Sequence, residues 1–399
     1  MLANKTVVLG VTGSIAAYKA ASLASLLVKA HADVHVIMTK NALNFINPIT
    51  FETLTGNKCL TDTFDRNFQF NVEHVSLAKK ADLFMVAPAT ANIIAKISGG
   101  IADDMLTTTF LAASCPKIIA PAMNTAMLQN QITQDNIQKC IHYGIQIIES
   151  SNGRLACGDT GKGKLPEPGF LYEAILNQIA LTKDLTGKKL LVTAGPTQES
   201  LDPVRYITNH SSGKMGYAIA KAAAMRGADV TLISGPVNIP VPYGVKIQNV
   251  ISAEDMFNSV KEFSPEADII IKSAAVADYT PAQFSDNKIK KSDDDLSIKV
   301  KRTSDILQWL GQNKKSGQFL CGFSMETQNM IENSRAKLDK KNLDLVCANN
   351  LKTEGAGFQK DTNVITLITK EDTQELPLLS KFDAANKILD KIIQMTGRS

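Results

Sequence analysis

The first half of the chain alternates short apolar runs with a stretch of helical periodicity. Apolar runs without strict alternation, which are typical of strands buried on both faces, occur at Thr6–Val11, Asp33–Met38, 83–87 and 117–120. A helical pattern over residues 15–29 lies between the first two runs. Strands that alternate with helices build parallel sheets, so we predict a parallel sheet flanked by helices in this half.

The same order of elements begins again near residue 188. A polar junction at 182–187 is followed by a strand with a glycine turn (188–195), a helix (214–226) and a strand (229–233). The chain has 399 residues, which is too long for one ordinary core. We therefore predict an α/β fold with two sequential domains, 1–183 and 184–399, each a mainly parallel Rossmann-like sheet flanked by helices.

Further segments are predicted from local pattern. Residues 151–169 are rich in glycine and predict a mobile loop, which a helix over 171–181 follows. Residues 287–291 and 296–301 alternate with period two around an acidic turn and predict a protruding hairpin. A last set of elements completes the second domain: a helix over 326–340, a strand over 344–348 and a β-pair around 364–368.

Charge and cysteine content narrow the class of protein. The chain has 43 Lys and Arg against 39 Asp and Glu, and a net charge of +4 suits small anions rather than nucleic acid. Its six cysteines form no CxxC pair, which argues against a zinc site or a disulfide framework. No apolar stretch approaches the roughly 18–20 residues of a membrane span. We expect a cytoplasmic protein without nucleic-acid or membrane partners.

A glycine turn connects the first strand to the first helix. The stretch GVTGS at residues 10–14 could present N–H groups at the helix N-terminus to a phosphate. Its spacing departs from GxGxxG, and the second strand ends at Thr39 and Lys40 without an acid that would hold a ribose. This argues against NAD and leaves a mononucleotide phosphate. A plain glycine turn of a βα unit is an equal alternative for this stretch alone.

Three more motifs of the first half carry a family resemblance. They are APATAN at residues 87–92, PAMNTAM at 121–127 and GRLACGD at 153–159. Together with His74 they resemble the homo-oligomeric flavin-containing cysteine decarboxylase family over roughly the first 180 residues. One departure is Leu128, where the family usually has Trp, and it concerns packing behind the PAMN loop more than chemistry.

The resemblance implies a site that holds FMN at a contact between subunits. The FMN phosphate would lie near Gly13, Ser14 and Thr39, with Thr90 nearby. His74 would be the base, Asn124 would bind the substrate carboxylate and Cys157 would donate a proton. Loss of CO₂ from an amino-acyl cysteine needs an electron sink, which flavin oxidation of the thiol to a thioaldehyde would supply. The alternatives are a structural histidine at a helix start for His74 and a helix cap for Asn124.

In the second half, a polar segment that contains glycine leads into the predicted helix at 214–226. Residues 202–216 end in SSGKMG, and a Walker loop is excluded because Met215 follows Gly213-Lys214. SSGKMG, together with AAVADY at 274–279 and KIKK at 288–291, resembles the phosphopantothenate–cysteine ligase family over essentially all of residues 188–399. That resemblance implies attack of a carboxylate on CTP, giving an acyl-cytidylate and pyrophosphate, and then attack of the cysteine amine.

Residue roles in the second half follow from the same resemblance. Asn209 would contact the pantothenate part of the substrate and the acyl intermediate, and Arg205 would act in the addition of cysteine. CTP would be held by residues from several segments: Lys272, Ser273, Ala274, Asp278, Lys288, Ser304, Asp305, Ile306, Leu307, Phe323, Lys337 and Lys341. Asp278 would reach ribose, base or the Mg²⁺ of Mg-CTP, and no other metal ligand is predicted. Lys272 departs from the family, which has a small residue there.

Together the two resemblances imply two consecutive steps of coenzyme A synthesis. 4'-Phosphopantothenate and L-cysteine would be ligated at the expense of CTP, and 4'-phosphopantothenoylcysteine would then be decarboxylated to 4'-phosphopantetheine. FMN and Mg²⁺ would be the cofactors, and the assembly a homo-oligomer, a dodecamer built from trimers and dimers. The alternatives are a flavin-binding regulatory protein without turnover, which the joint presence of His74, Asn124 and Cys157 disfavours, and an NAD-dependent oxidoreductase. The latter is disfavoured because the second strand of each half, ending at Thr39 and at Ser234, is followed by no acid that would hold a ribose.

Overall fold

The computed structural model of the chain describes residues 1–63, 73–154, 160–290, 297–326, 329–350 and 360–397. Backbone contacts divide it into two compact units, Met1–Leu181 and Thr182–Ser399. The division falls two residues before the sequence-based boundary after residue 183. The predicted α/β class is confirmed, and each unit is built around its own sheet.

In its described residues, unit 1 consists of a central sheet, eight helices and a small hairpin. Its elements are β1 (Thr6–Val11), α1 (Ala17–Lys29), β2 (Asp33–Met38), α2 (Pro48–Thr55), α3 (Glu73–Lys80), β3 (Leu83–Ala89), α4 (Ala91–Gly99), α5 (Met105–Ala112), β4 (Lys117–Pro121), α6 (Thr125–Gln129), α7 (Gln131–His142), β5 (Gln146–Ile147), β6 (Ser151–Arg154), β7 (Thr160–Lys164) and α8 (Pro168–Ile179). A 3₁₀ turn over Lys40–Asn44 follows β2.

The sheet of unit 1 is parallel, in the order β2-β1-β3-β4-β5. β1 and β2 have the predicted bounds, and β3 and β4 extend the predicted strands by one or two residues. All residues of β1 and β3 are buried, which explains their uninterrupted apolar character. In this order the chain changes direction next to β1, and ligands of such sheets bind outside the carboxyl ends of the strands there.

The glycine-rich segment 151–169 is not the loop that the sequence predicts. β6 and β7 pair as an antiparallel hairpin, with Gly153 opposite Gly161, and α8 begins at Pro168. The hairpin packs on the loop after β4, where a Cβ on Gly163 would lie 2.2 Å from the carbonyl oxygen of Met123. The glycines therefore permit a close approach between backbones, which local pattern alone cannot distinguish from mobility.

The part of unit 2 that the structure describes has a larger sheet, five helices and three small strand pairs. Its elements are β8 (Lys189–Ala194), β9 (Gln198–Ser200), β10 (Tyr206–Thr208), α9 (Lys214–Met225), β11 (Asp229–Ser234), β12 (Val245–Asn249), α10 (Ala253–Phe263), β13 (Ile269–Lys272), β14 (Tyr279–Pro281), β15 (Val300–Arg302), α11 (Ile306–Gln312), β16 (Phe319–Glu326), α12 (Met330–Lys340), β17 (Leu345–Asn350), β18 (Thr362–Asn363), β19 (Ile365–Ile368), β20 (Thr373–Glu375), β21 (Leu379–Ser380) and α13 (Lys381–Thr396).

The large sheet has the order β12-β11-β8-β13-β16-β17-β19-β20. The six strands from β12 to β17 are parallel, and β19 and β20 continue the sheet antiparallel. α9 and α13 cover one face, and α10, α11 and α12 cover the other. A Cβ on Gly216 would lie 2.5 Å from the Cβ of Ala194, so the start of α9 lies directly on the end of β8.

The predicted hairpin of unit 2 is wrong in its strands. β14 pairs antiparallel with β15, and the ladder continues through a hydrogen bond from the N–H of Ala282 to the oxygen of Lys299. The described residues 283–290 form no strand, and two of their N–H groups bond to another segment: that of Ser285 donates to the oxygen of Leu201 and that of Ile289 to Asp202. Residues 291–296, which include the whole predicted turn, lie outside the described residues.

The predicted helix over 326–340 begins only at Met330, since β16 runs to Glu326 and Asn329 adopts a left-handed conformation with φ of 49°. Within the described ranges, the helices lack the combined length and apolar character that crossing a membrane requires.

Candidate functional site

A cavity of about 550 Å³ opens at the carboxyl ends of β1, β2 and β3. Of the residues that sequence analysis assigned to a phosphate, Gly13, Thr39 and Thr90 line it. Ser14 follows Gly13 directly, in the turn before α1. The parallel arrangement brings these residues together because three loops leave the same edge of the sheet.

Two threonines at this edge differ in how their hydroxyls are satisfied. Thr12 is buried, and its Oγ1 donates to the oxygen of Pro88 at 2.7 Å and accepts from the N–H of Thr90 at 3.2 Å. The Oγ1 of Thr39 is also buried, but among the described residues it has no hydrogen-bond partner. An unsatisfied buried hydroxyl is costly, so Thr39 is suited to a ligand with hydrogen-bonding oxygens.

The turn before α1 packs tightly against the 3₁₀ turn that follows β2. A Cβ on Gly13 would lie 2.7 Å from the Cβ of Asn41, so no side chain fits there. The N–H of Ser14 donates to Thr12, and the Oγ of Ser14 accepts from the N–H of Ala16. What Ser14 can offer to an anion is therefore its hydroxyl proton rather than its backbone N–H.

The residues assigned to the flavin chemistry are distributed differently. His74 is half-buried in the first turn of α3, which packs against α5, and it does not line the cavity. Asn124 caps α6, with its Oδ1 accepting from the N–H of Ala126 at 2.8 Å, so the capping alternative is a real part of its role. Cys157 lies outside the described residues.

The β6–β7 hairpin is docked on both sides of Asn124. The N–H of Met123 donates to the oxygen of Gly163 at 3.0 Å, and the Oγ1 of Thr125 donates to the oxygen of Lys162 at 2.7 Å. This contact joins the PAMN loop to the segment that carries the ACGD motif. Sequence analysis missed Thr125. It also missed the role of the alternating glycines in β7, which the GKG spacing at residues 161–163 could have indicated.

A second cavity, of about 360 Å³, lies at the carboxyl ends of the unit 2 strands. Residues from distant segments line it: Asn209, Ser211, Ser212, Gly213, Lys214, Ser273, Ala274, Phe323, Asn349, Asn363 and Lys381. Of the predicted site residues it includes Asn209, Ser273, Ala274 and Phe323. The SSGKMG turn, which begins α9, forms one wall.

Hydrogen bonds to the backbone hold this wall in place. The Nδ2 of Asn209 donates to the oxygen of Ala275 at 3.0 Å, and the N–H of Ala274 donates to the Oγ1 of Thr193 at 3.1 Å. Gly213 has φ of 75°, and a Cβ there would lie 2.8 Å from Val237, so the turn requires glycine. Asn209 is thus fixed to the AAVADY segment, although its side chain reaches the cavity.

Three lysines and one aspartate from the predicted nucleotide set gather near this cavity. The Nζ of Lys337 donates to the oxygen of Phe323 at 2.8 Å, and that of Lys341 donates to the Oδ2 of Asp305 at 2.7 Å. Lys272 donates to the oxygen of Ala274 at 3.1 Å. Burial, and then the charges of Lys337 and Lys341, lower the pKa of Lys272 to about 8. The result is a concentration of positive charge that suits a polyphosphate.

Asp305 remains ionised within this group. Burial by itself would raise its pKa, but hydrogen bonds from Lys341 and from the N–H of Gln308 lower it below the usual value. Asp305 is also the N-cap of α11. The next two residues, Ile306 and Leu307, have their side chains in the core, so only their backbone groups can belong to a site.

Other predicted residues lie on the surface. Ser304, Asp278 and Lys288 are exposed, as is Arg205, whose Nη1 lies 3.5 Å from the Oδ2 of the buried Asp202. Among the described residues there is no cluster of three or more His, Cys, Asp or Glu side chains that could hold a metal ion. The structure therefore does not supply a metal cage around Asp278 from this part of the chain.

Sequence analysis missed a lysine of the unit 2 cavity. Lys381 begins α13, is 7% exposed and lines the cavity opposite the SSGKMG turn. Burial, and then the charge of Lys214, lower its pKa to about 8. Lys214 pairs with Asp361 at 2.6 Å. Nothing in the local pattern around residue 381 distinguishes this lysine from the solvent-facing ones, because only the tertiary fold brings α13 to α9.

Comparison with known proteins covers the whole chain. Two family models match: "Flavoprotein" over residues 1–180 and "DNA/pantothenate metabolism flavoprotein C-terminal domain" over residues 185–395. Full-length relatives include the coenzyme A biosynthesis bifunctional protein CoaBC of Bacillus subtilis (strain 168), 48% identical over 100% of this chain and 99% of the relative. The protein of the same name from Haemophilus influenzae (strain ATCC 51907 / DSM 11121 / KW20 / Rd) is 43% identical over 98% of each chain.

A solved structure also resembles part of the chain. The crystal structure of the C-terminal domain of a coenzyme A biosynthesis bifunctional protein CoaBC is 41% identical, covers 55% of this chain and 100% of its own, and has a TM-score of 0.48.

Proposed function

The chain belongs to the family of bifunctional coenzyme A biosynthesis proteins, and from that premise we infer what each of its two cavities does. It is an enzyme with two activities, phosphopantothenate–cysteine ligase and phosphopantothenoylcysteine decarboxylase. The observation that carries the assignment is the identity of 48% over the full length, across both units. The cofactors, the nucleotide and the residue roles below are our proposal.

We propose that the unit 1 cavity holds FMN. The residues fit a phosphate monoester, since Thr39 has an unsatisfied buried hydroxyl, Ser14 has a hydroxyl proton to donate and Gly13 lines the same cavity as Thr39. The strand end at Thr39 and Lys40 lacks the acid that a dinucleotide ribose needs. When bound, FMN would supply the electron sink that removal of CO₂ from an amino-acyl cysteine requires.

The chain's own groups then hold and move protons around the substrate. Asn124 would bind the substrate carboxylate, and its position is supported by the docking of β7 on Met123 and Thr125. An imidazole nitrogen of His74 would accept the thiol proton, and the Sγ of Cys157 would return a proton to the product carbon. These roles follow from family membership and the motifs around the three residues.

The unit 2 cavity would bind 4'-phosphopantothenate, CTP and then L-cysteine. A carboxylate oxygen of the substrate attacks the α-phosphorus of CTP, and the bond to the β-phosphate breaks to release pyrophosphate. The cysteine amine then attacks the acyl carbon and CMP leaves. Lys272, Lys337 and Lys341, joined by Lys288, would neutralise charge on the leaving pyrophosphate. Asn209 would orient the acyl group, and Arg205 would act in the cysteine step.

Mg²⁺ would enter this site together with the nucleotide. The described residues present no cage of metal ligands, and Mg²⁺ ordinarily binds through substrate phosphates and one or two carboxylates. Asp278, which is exposed at the end of the AAVADY segment, would contact the ribose, the base or this ion. Ser273, Ala274, Phe323 and the N-terminus of α11 would complete the nucleotide site.

We further propose a cytoplasmic homo-oligomer, a dodecamer that unit 1 builds as trimers and unit 2 as dimers. Unit 1 exposes large apolar side chains, including Ile101, Leu111 and Tyr143, which line one shallow depression. Such patches are commonly protein contacts. Sedimentation of the full chain, compared with each unit expressed alone, tests this arrangement, and monomeric units would contradict it.

The two activities can be separated in one experiment. The full chain receives 4'-phosphopantothenate, L-cysteine and CTP, and pyrophosphate, CO₂ and product mass are followed. Asn209→Asp should stop pyrophosphate release while supplied 4'-phosphopantothenoylcysteine is still decarboxylated, and Asn124→Asp should do the reverse. Each variant is thus the control for the other. Loss of both activities in one folded variant, or parent protein that consumes no CTP and binds no flavin, would contradict the proposal.

A further inference from the structure

Asp202 is a buried carboxylate in an otherwise exposed loop between β9 and β10. Its side chain has 0% exposure, while the neighbouring residues from Pro203 to Arg205 are exposed. A carboxylate taken out of water must have its oxygens satisfied by donors or positive charge. The identity of those donors indicates what the residue organises.

The Oδ1 of Asp202 organises its own loop. It accepts from the N–H of Val204 and from the N–H of Arg205, both at 2.8 Å. The Oδ2 lies 3.5 Å from the Nη1 of the same arginine. One carboxylate therefore orients both the backbone and the guanidinium of Arg205.

The same carboxylate also holds a distant segment. Its Oδ2 accepts from the N–H of Ile289 at 3.1 Å, and the oxygen of Leu201 accepts from the N–H of Ser285 at 3.0 Å. Lys288 lies between these two attachment points and next to Ile289. Its segment is consequently tied at both ends to the loop of Arg205, and one of the two ties is the Asp202 side chain.

We propose that Asp202 is a positioning residue that sets Lys288 and Arg205 in one arrangement, and so couples nucleotide binding to the cysteine step of ligation. The inference rests on the proposed roles of Lys288 and Arg205. Because burial would raise the pKa of Asp202 but the N–H groups of Val204, Ile289 and Arg205 lower it, the carboxylate stays charged at neutral pH.

Asp202→Asn is the informative substitution because it keeps the size of the side chain. An amide has one acceptor oxygen, so it cannot serve both the turn N–H groups and the N–H of Ile289, and it no longer opposes the charge of Arg205. We expect the KM for CTP to rise about tenfold and the cysteine step to slow, whereas decarboxylation of supplied 4'-phosphopantothenoylcysteine stays unchanged.

A control carboxylate lies directly before β13, at the amino ends of the parallel strands of the large sheet. The Oδ2 of Asp268 accepts from the N–H of Lys189 at 2.8 Å, and Asp268 lines neither cavity. Asp268→Asn should leave the KM for CTP within about twofold of the parent. If both variants lose stability equally but only Asp202→Asn changes ligation kinetics, general destabilisation cannot account for the effect.

A double-mutant cycle tests whether Asp202 acts through Lys288. Asp202→Asn is measured alone and together with Lys288→Ala. Positioning through Lys288 predicts that Asp202→Asn has little further effect on the KM for CTP once Lys288 is gone. An unchanged KM in Asp202→Asn, or equal factors in both backgrounds, would overturn the inference. A parent that uses no CTP would instead refute the proposed function.

Discussion

Thr39→Val should change the stability of the flavin-free protein and its affinity for FMN in opposite senses. Valine has the shape of threonine without its hydroxyl. In the structure the Oγ1 of Thr39 is buried, caps no N–H of the following 3₁₀ turn and has no partner among the described residues. Removing an unsatisfied buried hydroxyl should stabilise the flavin-free protein by about 1–3 kcal/mol.

The same substitution should weaken FMN binding. A hydrogen bond to a charged phosphate contributes about 1.5–3 kcal/mol, and its loss corresponds to roughly a 10- to 150-fold rise in Kd. Thermal unfolding of flavin-free protein and titration of flavin fluorescence measure the two effects separately. The opposite signs are what distinguish a ligand-binding hydroxyl from a structural one.

Thr12→Val is the matched control because the Thr12 hydroxyl is satisfied. It donates to the oxygen of Pro88 and accepts from the N–H of Thr90, and its removal takes away both of those hydrogen bonds. Thr12→Val should therefore lower the stability of flavin-free protein by about 1–3 kcal/mol. If Thr39→Val lowers stability as much as Thr12→Val, or leaves the Kd for FMN unchanged, the reasoning about Thr39 is wrong.

Three further predictions concern Gly163 of the hairpin and Lys272 of unit 2. Gly163→Ala should abolish decarboxylation while ligation persists, because the φ of Gly163 is 138° and the added Cβ would lie 2.2 Å from the Met123 oxygen. Gly144→Ala is the control, since Gly144 has φ of 78° and open space around it, so the substitution should cost only backbone strain. Equal losses of decarboxylation in the two variants would argue against the docking of the β6–β7 hairpin on Met123. CTP affinity should fall as pH rises through about 8, where Lys272 loses its charge, and Lys272→Met should flatten this part of the profile. Since the folded pKa of Lys272 lies below its ordinary value, protein stability should rise, not fall, between about pH 8 and 10.5, and calorimetry of the parent against Lys272→Met checks the sign.

The strands of the unit 1 sheet could largely be predicted from the sequence, whereas β12, β16 and β20 of the unit 2 sheet were not predicted. β1 and β2 have the predicted bounds, because a strand buried on both faces has an uninterrupted apolar sequence. The placement of Gly13, Thr39 and Thr90 around one cavity also follows from pattern, since parallel strands deliver their following loops to one edge. The roles of the site residues remain proposals.

Long-range contacts account for what the sequence did not predict. Residues 151–154 and 160–164 pair as a hairpin because their glycine backbone packs on Met123, and this distant partner cannot be predicted from local composition. Ile306 and Leu307 look like neighbours of Asp305 along the chain, yet α11 turns their side chains into the core. Lys381 joins the unit 2 cavity only because α13 packs beside α9.

The sequence alone determined that there are two α/β units, the bounds of strands such as β1 and β2, and the polar, glycine-bearing turns that follow strands in both units. Tertiary structure alone decided how buried polar groups are satisfied: Thr39 has no partner among the described residues, and Asp202 accepts from N–H groups of its own loop and of one distant segment. The reason is that hydrophobic periodicity is a local property of the chain. Satisfaction of a buried polar group depends instead on partners that meet it only after the chain has folded.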